Sequence, residues 1–413
     1  MADYGGGQNG QGGNAMDLDD LSRRDVLRLG ALFGGTLLAG GTLVGCDSKT
    51  ATAKATAKGV AHQPGSGDAV ALRPGEGPPP VVDRLTVTVV VDSYYDATAK
   101  TDKVGNVKVE RTGLAHGEEL PRQLKSEWGL GLHLASAQAD QTRNYLLDFG
   151  LSPTAGLDNL KFLKLDLAAV DALILSHGHY DHFGGLLELL ASHRDRLRDD
   201  LTLYVGGEDT FCYRFRVPDA GDPQSFGVLD RRVLKDASVG VVMAQTPMVI
   251  GGQAFTTGAI ARNSFETVQP AHRVELGMRD GVGCDSSHFS PEEKAGAIVP
   301  DKFWYEHATC FNVKDRGLVI ISSCGHAGIV NTIKAAQAAS GVEKVHAILG
   351  GFHLLPSPEP YVAQTVEAVK ALNPDYIIPM HCTGRMFSRL AEDAMPGRLI
   401  PSTTGTRFTF GAA

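Results

Sequence analysis

Ser176-His177-Gly178-His179-Tyr180-Asp181-His182-Phe183-Gly184-Gly185 follows directly on the apolar run Asp171-Ala172-Leu173-Ile174-Leu175. Three imidazoles and one carboxylate stand within the six positions from His177 to His182. The run has the length and residue types of a buried strand, and 183–197 reads as a helix. The cluster therefore sits on a tight strand-to-helix turn. Alternate residues of such a turn can aim His177 and His179 at one point, while Asp181 and His182 turn to a second. Neutral imidazole and carboxylate are the common ligands of zinc and other borderline transition metals. A loop that is His-rich by chance is the weaker reading, because a fold gains nothing from packing three histidines beside an aspartate. The stretch predicts a metal site at a strand end.

The C-terminal half repeats the arrangement. Apolar strand patterns precede His326 in Cys324-Gly325-His326, His353 in Gly350-Gly351-Phe352-His353, and His381 in Met380-His381-Cys382. Three strand ends with His at the same place converge on one edge of a sheet, where α/β folds keep their sites. Upstream, 85–92 and 144–150 read as strands by their β-branched and aromatic content, as do 201–205 and 239–243. Asp148 ends the second of these. Amphipathic helices are predicted over 332–339 and 361–372. Between 205 and 300 no chemistry stands alone. His272 and His288 lie in polar stretches that read as exposed, and 256–262 has no self-evident role.

With 413 residues the chain can bury a large core. The formal charge of −8 argues against non-specific nucleic-acid binding, and the partner expected for a metal site of this kind is a small-molecule substrate. Six cysteines occur with no CxxC pair and no disulfide-rich spacing, which predicts no disulfide framework.

The N-terminal segment 1–46 reads as a low-complexity start followed by a targeting signal. Arg23-Arg24 precedes a mild, glycine-diluted apolar stretch that resembles a twin-arginine export signal. Leu43-Val44-Gly45-Cys46 resembles a bacterial lipobox, which makes Cys46 the expected lipid attachment point. These features predict the twin-arginine machinery as a partner. They also predict a cell-envelope location on the periplasmic or extracellular side, with the membrane reached through the lipid anchor. Residues 47–80, rich in Ala, Thr, Lys, Gly and Pro, read as a flexible linker, and the folded domain is expected over 81–413.

The pattern His-x-His-x-Asp-His resembles the signature of the metallo-β-lactamase superfamily. More widely, 85–385 resembles its 7,8-dihydropterin-6-methyl-4-(β-D-ribofuranosyl)aminobenzene-5′-phosphate synthase-like branch. The likeness runs through Glu127-Trp128-Gly129-Leu130, Leu147-Asp148-Phe149-Gly150, the central loop, 256–262, Cys324-Gly325-His326, Gly350-Gly351-Phe352-His353 and His381-Cys382-Thr383-Gly384. The chain departs from that branch at Trp128, where His is usual, and at Phe149, where Thr is usual. Cys324-Gly325-His326 stands where many superfamily members carry a bridging Asp.

The resemblance implies an α/β, four-layer αβ/βα sandwich holding two divalent metal ions, zinc first, with manganese or iron also accepted by such ligands. It implies His177, His179 and His326 on the first ion, Asp181, His182 and His381 on the second, and Asp148 supporting the loop from behind. The expected activity is hydrolysis of an ester, lactone or phosphoester by a metal-bound hydroxide. Asp181 would orient the nucleophile, and His353 would bind a substrate phosphate or carboxylate or serve as an extra metal ligand. A pterin or phosphoribosyl-type transferase, an iron-dependent oxidoreductase and a non-catalytic metal-dependent binding lipoprotein are the alternatives.

Overall fold

The structure, a computed structural model, describes residues 69–72, 77–114, 122–216, 222–267, 272–294 and 298–412. The stretch read as an export signal, Cys46 and most of the stretch read as a linker lie outside the described residues.

The strand Ala172–Leu175 is buried along its whole length. Ala172 and Ile174 join one apolar cluster, and Leu173 and Leu175 join another. A strand buried on both faces reads as a continuous apolar run rather than an alternating one. It lies parallel to both Gln141–Phe149 and Thr202–Val205, at the heart of a sheet that holds nine strands among the described residues. That sheet runs on through Gly131–Gln138, Arg84–Val91 and Arg407–Gly411. A second sheet is built on Thr309–Val313, Gly317–Ser322, Val345–Gly350 and Tyr376–Pro379, the last three parallel to one another.

The two sheets face each other. Val87, Leu132, Tyr145 and Ile174 of the first pack in one cluster with Phe311, Ile321, Leu349 and Ile378 of the second. Helices Ala155–Phe162 and Tyr180–His193 cover the outer face of the first sheet through Leu160, Phe183 and Leu186. Ile329–Ser340, Glu359–Leu372 and Arg385–Ala394 cover the second through Ile333, Val366 and Phe387. Each such side chain taken fully out of water contributes roughly 1.5–3 kcal/mol. The layers are helix, sheet, sheet, helix: the αβ/βα sandwich expected from the sequence.

Several sequence expectations shift. The helix after the His-rich loop spans Tyr180–His193 rather than 183–197. It begins inside the motif, with His179 at the N-cap and Asp181 in the first turn, where a carboxylate is favoured by the helix dipole. A 3-10 turn over Arg194–Arg196 continues it almost to the expected end, and the Arg194 guanidinium donates to the carbonyls of Leu197, Arg198 and Asp199 beyond it. Pairing also starts before 81, since Ala69–Ala71 lies antiparallel to Met248–Ile250 as an edge strand. The sequence predicts no disulfide framework, and the described residues hold a single bond, Cys212–Cys284. Its partners are 72 residues apart, and no sequence spacing announces such a pair.

Candidate metal centre

Two local devices shape the His-rich loop. Gly178 leaves room that no other residue could, because a Cβ there would collide with the Thr210 carbonyl oxygen and the Arg214 guanidinium. Arg214, itself only 1% exposed, donates from Nη1 to the Gly178 carbonyl at 3.1 Å and from Nε to Asp301 at 2.8 Å. The paired charges thus clamp the loop from below, and Arg214 in turn holds Asp301 well below the usual carboxylate range against the opposing effect of burial.

Asp148 secures the loop from the neighbouring strand. Its Oδ1 accepts from the Ser176 N–H at 2.9 Å, and its Oδ2 from the Ser176 hydroxyl at 2.8 Å. Oδ2 also lies 2.6 Å from His182 Nδ1. Carboxylates in this position fix the ring orientation and tautomer of a ligating imidazole. Four residues around the centre, Asp148, Phe303, His353 and His381, hold positive φ of 55°, 49°, 48° and 48°. Such non-glycine backbone costs about 1–3 kcal/mol each and gathers at functional sites.

The parallel strands of the second sheet bring the other histidines to the same edge. The His177 and His326 rings lie 4.9 Å apart, and those of His182 and His381 5.1 Å apart. Two groups result. The ligand atoms of His177, His179 and His326 lie within 4.8 Å of one another, and so do those of Asp181, His182 and His381. One ion bound at about 2.1 Å from each atom nearly spans that separation. Asp181 joins the second group through Oδ2, 3.3 Å from His381 Nε2 and 3.9 Å from His182 Nε2.

The donor set fits divalent ions. His177 Nε2, His179 Nε2, Asp181 Oδ1, His182 Nε2, both ring nitrogens of His326 and His381 Nε2 are all buried without a hydrogen-bond partner. Each such group left unpaired costs about 1–3 kcal/mol, so a fold that keeps them together has another use for them. Their remaining atoms are engaged: His177 Nδ1 meets Ser176 Oγ at 2.9 Å, and His381 Nδ1 meets Ser93 Oγ at 3.3 Å. Burial holds His179 down to about 3 and pushes His177 and His326 well below the ordinary histidine range. They are neutral and can donate a lone pair. Burial acts the same way on His182, but Asp181 and Asp148 outweigh it and raise the group to about 9. Burial opposes ionisation of Asp181 too, yet His182 and His381 hold it far below its usual value.

Some residues around the centre were not legible in the sequence. Glu306 accepts the N–H groups of Gly325, His326 and Ala327 at 2.9, 3.0 and 2.6 Å, so it shapes the turn that carries His326. Asp92 does the same for His381, accepting its N–H at 2.8 Å. Phe303 stacks on His326 at 3.8 Å. His272, read as exposed, is half-buried with its ring 4.6 Å from His179. The strand His272–Glu275 of a small separate sheet puts it there. His288 is exposed and takes no part. His353 is half-buried beside the first group, its ring 4.0 Å from His326. Trp128 lies against His381 at 4.9 Å and remains 45% exposed, which places an aromatic face at the rim. Thr257, in the stretch without evident role, accepts the Ala308 N–H and ties two strands.

Comparison with known proteins agrees with this geometry. Residues 129–198 match the family model described as the Metallo-beta-lactamase superfamily. A 7,8-dihydropterin-6-methyl-4-(beta-D-ribofuranosyl)-aminobenzene-5'-phosphate synthase of Methanocaldococcus jannaschii is 26% identical over 264 residues, covering 63% of this chain and 82% of the relative. An uncharacterized protein of the same organism is 23% identical over 260 residues, 60% of this chain and 83% of its own. Among solved structures, a metal-dependent hydrolase of the beta-lactamase superfamily aligns with a TM-score of 0.56 at 21% identity. That alignment covers 78% of this chain and 98% of the other, and it is a likeness of fold. The family-model match over 129–198 and the shared sandwich show that this chain is similar to the metallo-β-lactamase superfamily in its central motif and its fold.

Proposed function

We propose that the protein is a metal-dependent hydrolase that cleaves an ester, lactone or phosphoester in a small molecule. The observation that carries this reading is the convergence of buried, unpartnered ligand atoms in two adjoining groups. His177, His179 and His326 would hold one divalent ion and Asp181, His182 and His381 a second, with zinc the first choice and manganese or iron the others. When bound, such ions acidify water and stabilise charge developing on the substrate oxygen.

The chain's own residues supply the rest. Asp181 Oδ1, buried and without a hydrogen-bond partner, is placed to accept a hydrogen from the attacking water and so orient its lone pair. His353, half-buried beside His326, offers a donor to a substrate phosphate or carboxylate. Trp128 offers an apolar face at the rim.

A second reading has one specific support. The archaeal relative is named a synthase, and a transferase would direct a substrate hydroxyl or amine, rather than water, to the same centre. The test is a panel of carboxylic esters, lactones, phosphomonoesters and phosphodiesters offered to the metal-loaded protein. Turnover that a chelator abolishes supports the hydrolase. A protein that holds its ions but hydrolyses nothing, and couples a pterin or phosphoribosyl donor to an acceptor, overturns it in favour of the transferase.

The export reading forms part of the same proposal, with Cys46 as the lipid anchor. The twin-arginine route carries folded proteins, which would allow metal loading before export. The Cys212–Cys284 bond suits an oxidising compartment, where disulfides persist. No helix among the described residues is long and apolar enough to cross a membrane.

A further inference from the structure

Exposed apolar side chains on a folded protein are ordinarily scattered singly, and a cluster of them marks a binding face. Ten large ones are exposed among the described residues. Four of the ten, Tyr94, Trp128, Leu355 and Met386, stand on segments that meet at the His381 turn, and they are between 37% and 56% exposed.

Each segment is tied to that turn or to the His-rich motif. Tyr94 follows Ser93, whose hydroxyl meets His381 Nδ1 at 3.3 Å. Trp128 lies on the His381 ring, and the two residues after it close on Asp181. A Cβ at Gly129 would fall 2.6 Å from the Asp181 carbonyl oxygen, which accepts the Leu130 N–H at 3.3 Å. The Leu355 N–H donates to the Cys382 carbonyl at 3.1 Å, and the Leu355 side chain lies against Gly384. Met386 is in the first turn of the helix that starts at Arg385.

The face is also stiff. The Glu127 N–H donates to the Asp92 carbonyl at 3.3 Å, and Glu127 Oε1 accepts the N–H groups of Leu151 and Ser152 at 2.9 Å each. An apolar surface already held in place loses little conformational freedom when it is covered. A group seated on Trp128 is next to His381, so its occupant also reaches the Asp181–His182–His381 group. That favours the substrate over a docking protein, which would shut the centre. The far side, around His179 and His326, carries the half-buried imidazoles of His272 and His353 instead.

We propose that Tyr94, Trp128, Leu355 and Met386 form a shelf for an apolar acyl or aryl group of the substrate. The centre then prefers substrates whose scissile group carries an extended hydrocarbon portion to short polar ones. The inference rests on the hydrolase reading above and narrows its substrate.

Straight-chain hydroxamates, which bind divalent ions through two oxygens, test it without turnover. The full-length protein is loaded with zinc, zinc per chain is measured by elemental analysis, and the affinities of acetohydroxamate and octanohydroxamate are read by calorimetry. Octanohydroxamate should bind more tightly, by roughly two- to fourfold for each methylene that the shelf covers. Trp128→Ala should cut the ratio of the two affinities by about tenfold, Leu355→Ser should cut it less, and Trp128→Phe should restore most of it. The ratio cancels any effect of a variant on the ions themselves, and Leu355→Ser carries the test if Trp128→Ala does not fold. Equal affinities, no binding of either compound by zinc-loaded protein, or a ratio that survives both Trp128→Ala and Leu355→Ser overturns the proposal and leaves the metal centre standing. A dimer in sedimentation that Trp128→Ala dissociates, with no chain-length effect, overturns it in favour of a second copy on this face. Protein that takes up no zinc overturns both readings together.

Discussion

Asp148 Oδ2 stands 2.6 Å from His182 Nδ1, while the opposite nitrogen of the same ring, Nε2, is buried without a partner. A carboxylate on one side of the imidazole thus keeps a hydrogen on Nδ1, so that an ion displacing the proton on Nε2 would meet its lone pair in the Asp181–His182–His381 group. Replacing Asp148 by Asn lets an amide N–H face Nδ1, which moves the ring hydrogen to Nε2 and blocks it as a ligand. Loss of such a supporting carboxylate costs about 10–100-fold in metal affinity. We expect a loss of that size in Asp148→Asn, read by competition with a chromophoric chelator. Unchanged affinity would show that Asp148 only shapes the strand end.

Asp181 has a different part. One oxygen approaches His381 and His182, and the other is free of hydrogen bonds. Asp181→Ala should cut turnover by orders of magnitude while circular dichroism and thermal unfolding report an intact fold. A variant with full activity would rule out the nucleophile-orienting role given to Asp181.

The Cys212–Cys284 bond closes a segment spanning 72 residues. Chain entropy puts the stabilisation from such a loop at about 4 kcal/mol. Protein carrying Cys212→Ala and Cys284→Ala together should unfold at correspondingly lower denaturant than oxidised native protein. Peptide mapping after alkylation in denaturant without reductant should find Cys310, Cys324 and Cys382 labelled, and Cys212 and Cys284 unlabelled. Labelling of all five would deny the bond.

A pH dependence of stability arises well away from the centre. Burial, with Arg407 adding to it, holds His133 at about 4, and the ring is 7% exposed. Between its unfolded value of about 6.5 and the folded value, only the unfolded chain takes up the proton. Stability is therefore full above about pH 6.5, falls as pH drops through that window, and falls no further from this group below about pH 4. By about pH 5 the loss is roughly 2 kcal/mol. Urea unfolding at about pH 7 and about pH 5 should show His133→Gln losing less stability on acidification than the native protein. Equal losses would contradict the assignment.

The sequence carried the fold and much of the centre because the relevant signals are local. His177 to His182 are contiguous, and the later histidines each follow a strand whose apolar run is continuous because both faces are buried. What stayed hidden depends on contacts across the chain. Glu306 and Asp92 act through backbone N–H groups, which leave no motif. His272 reaches His179 only through the placement of a small sheet that 205–300 does not announce. Ala69–Ala71 was read as linker because a three-residue edge strand carries too little pattern.

The most direct measurement is metal content per chain in the purified protein and in His179→Ala. The account predicts two equivalents of zinc, or of manganese or iron, in the native protein, with much of it lost in the variant while the fold persists. Carefully purified protein that holds no transition metal, or a variant that holds as much as the native chain, would contradict the metal centre on which the rest depends.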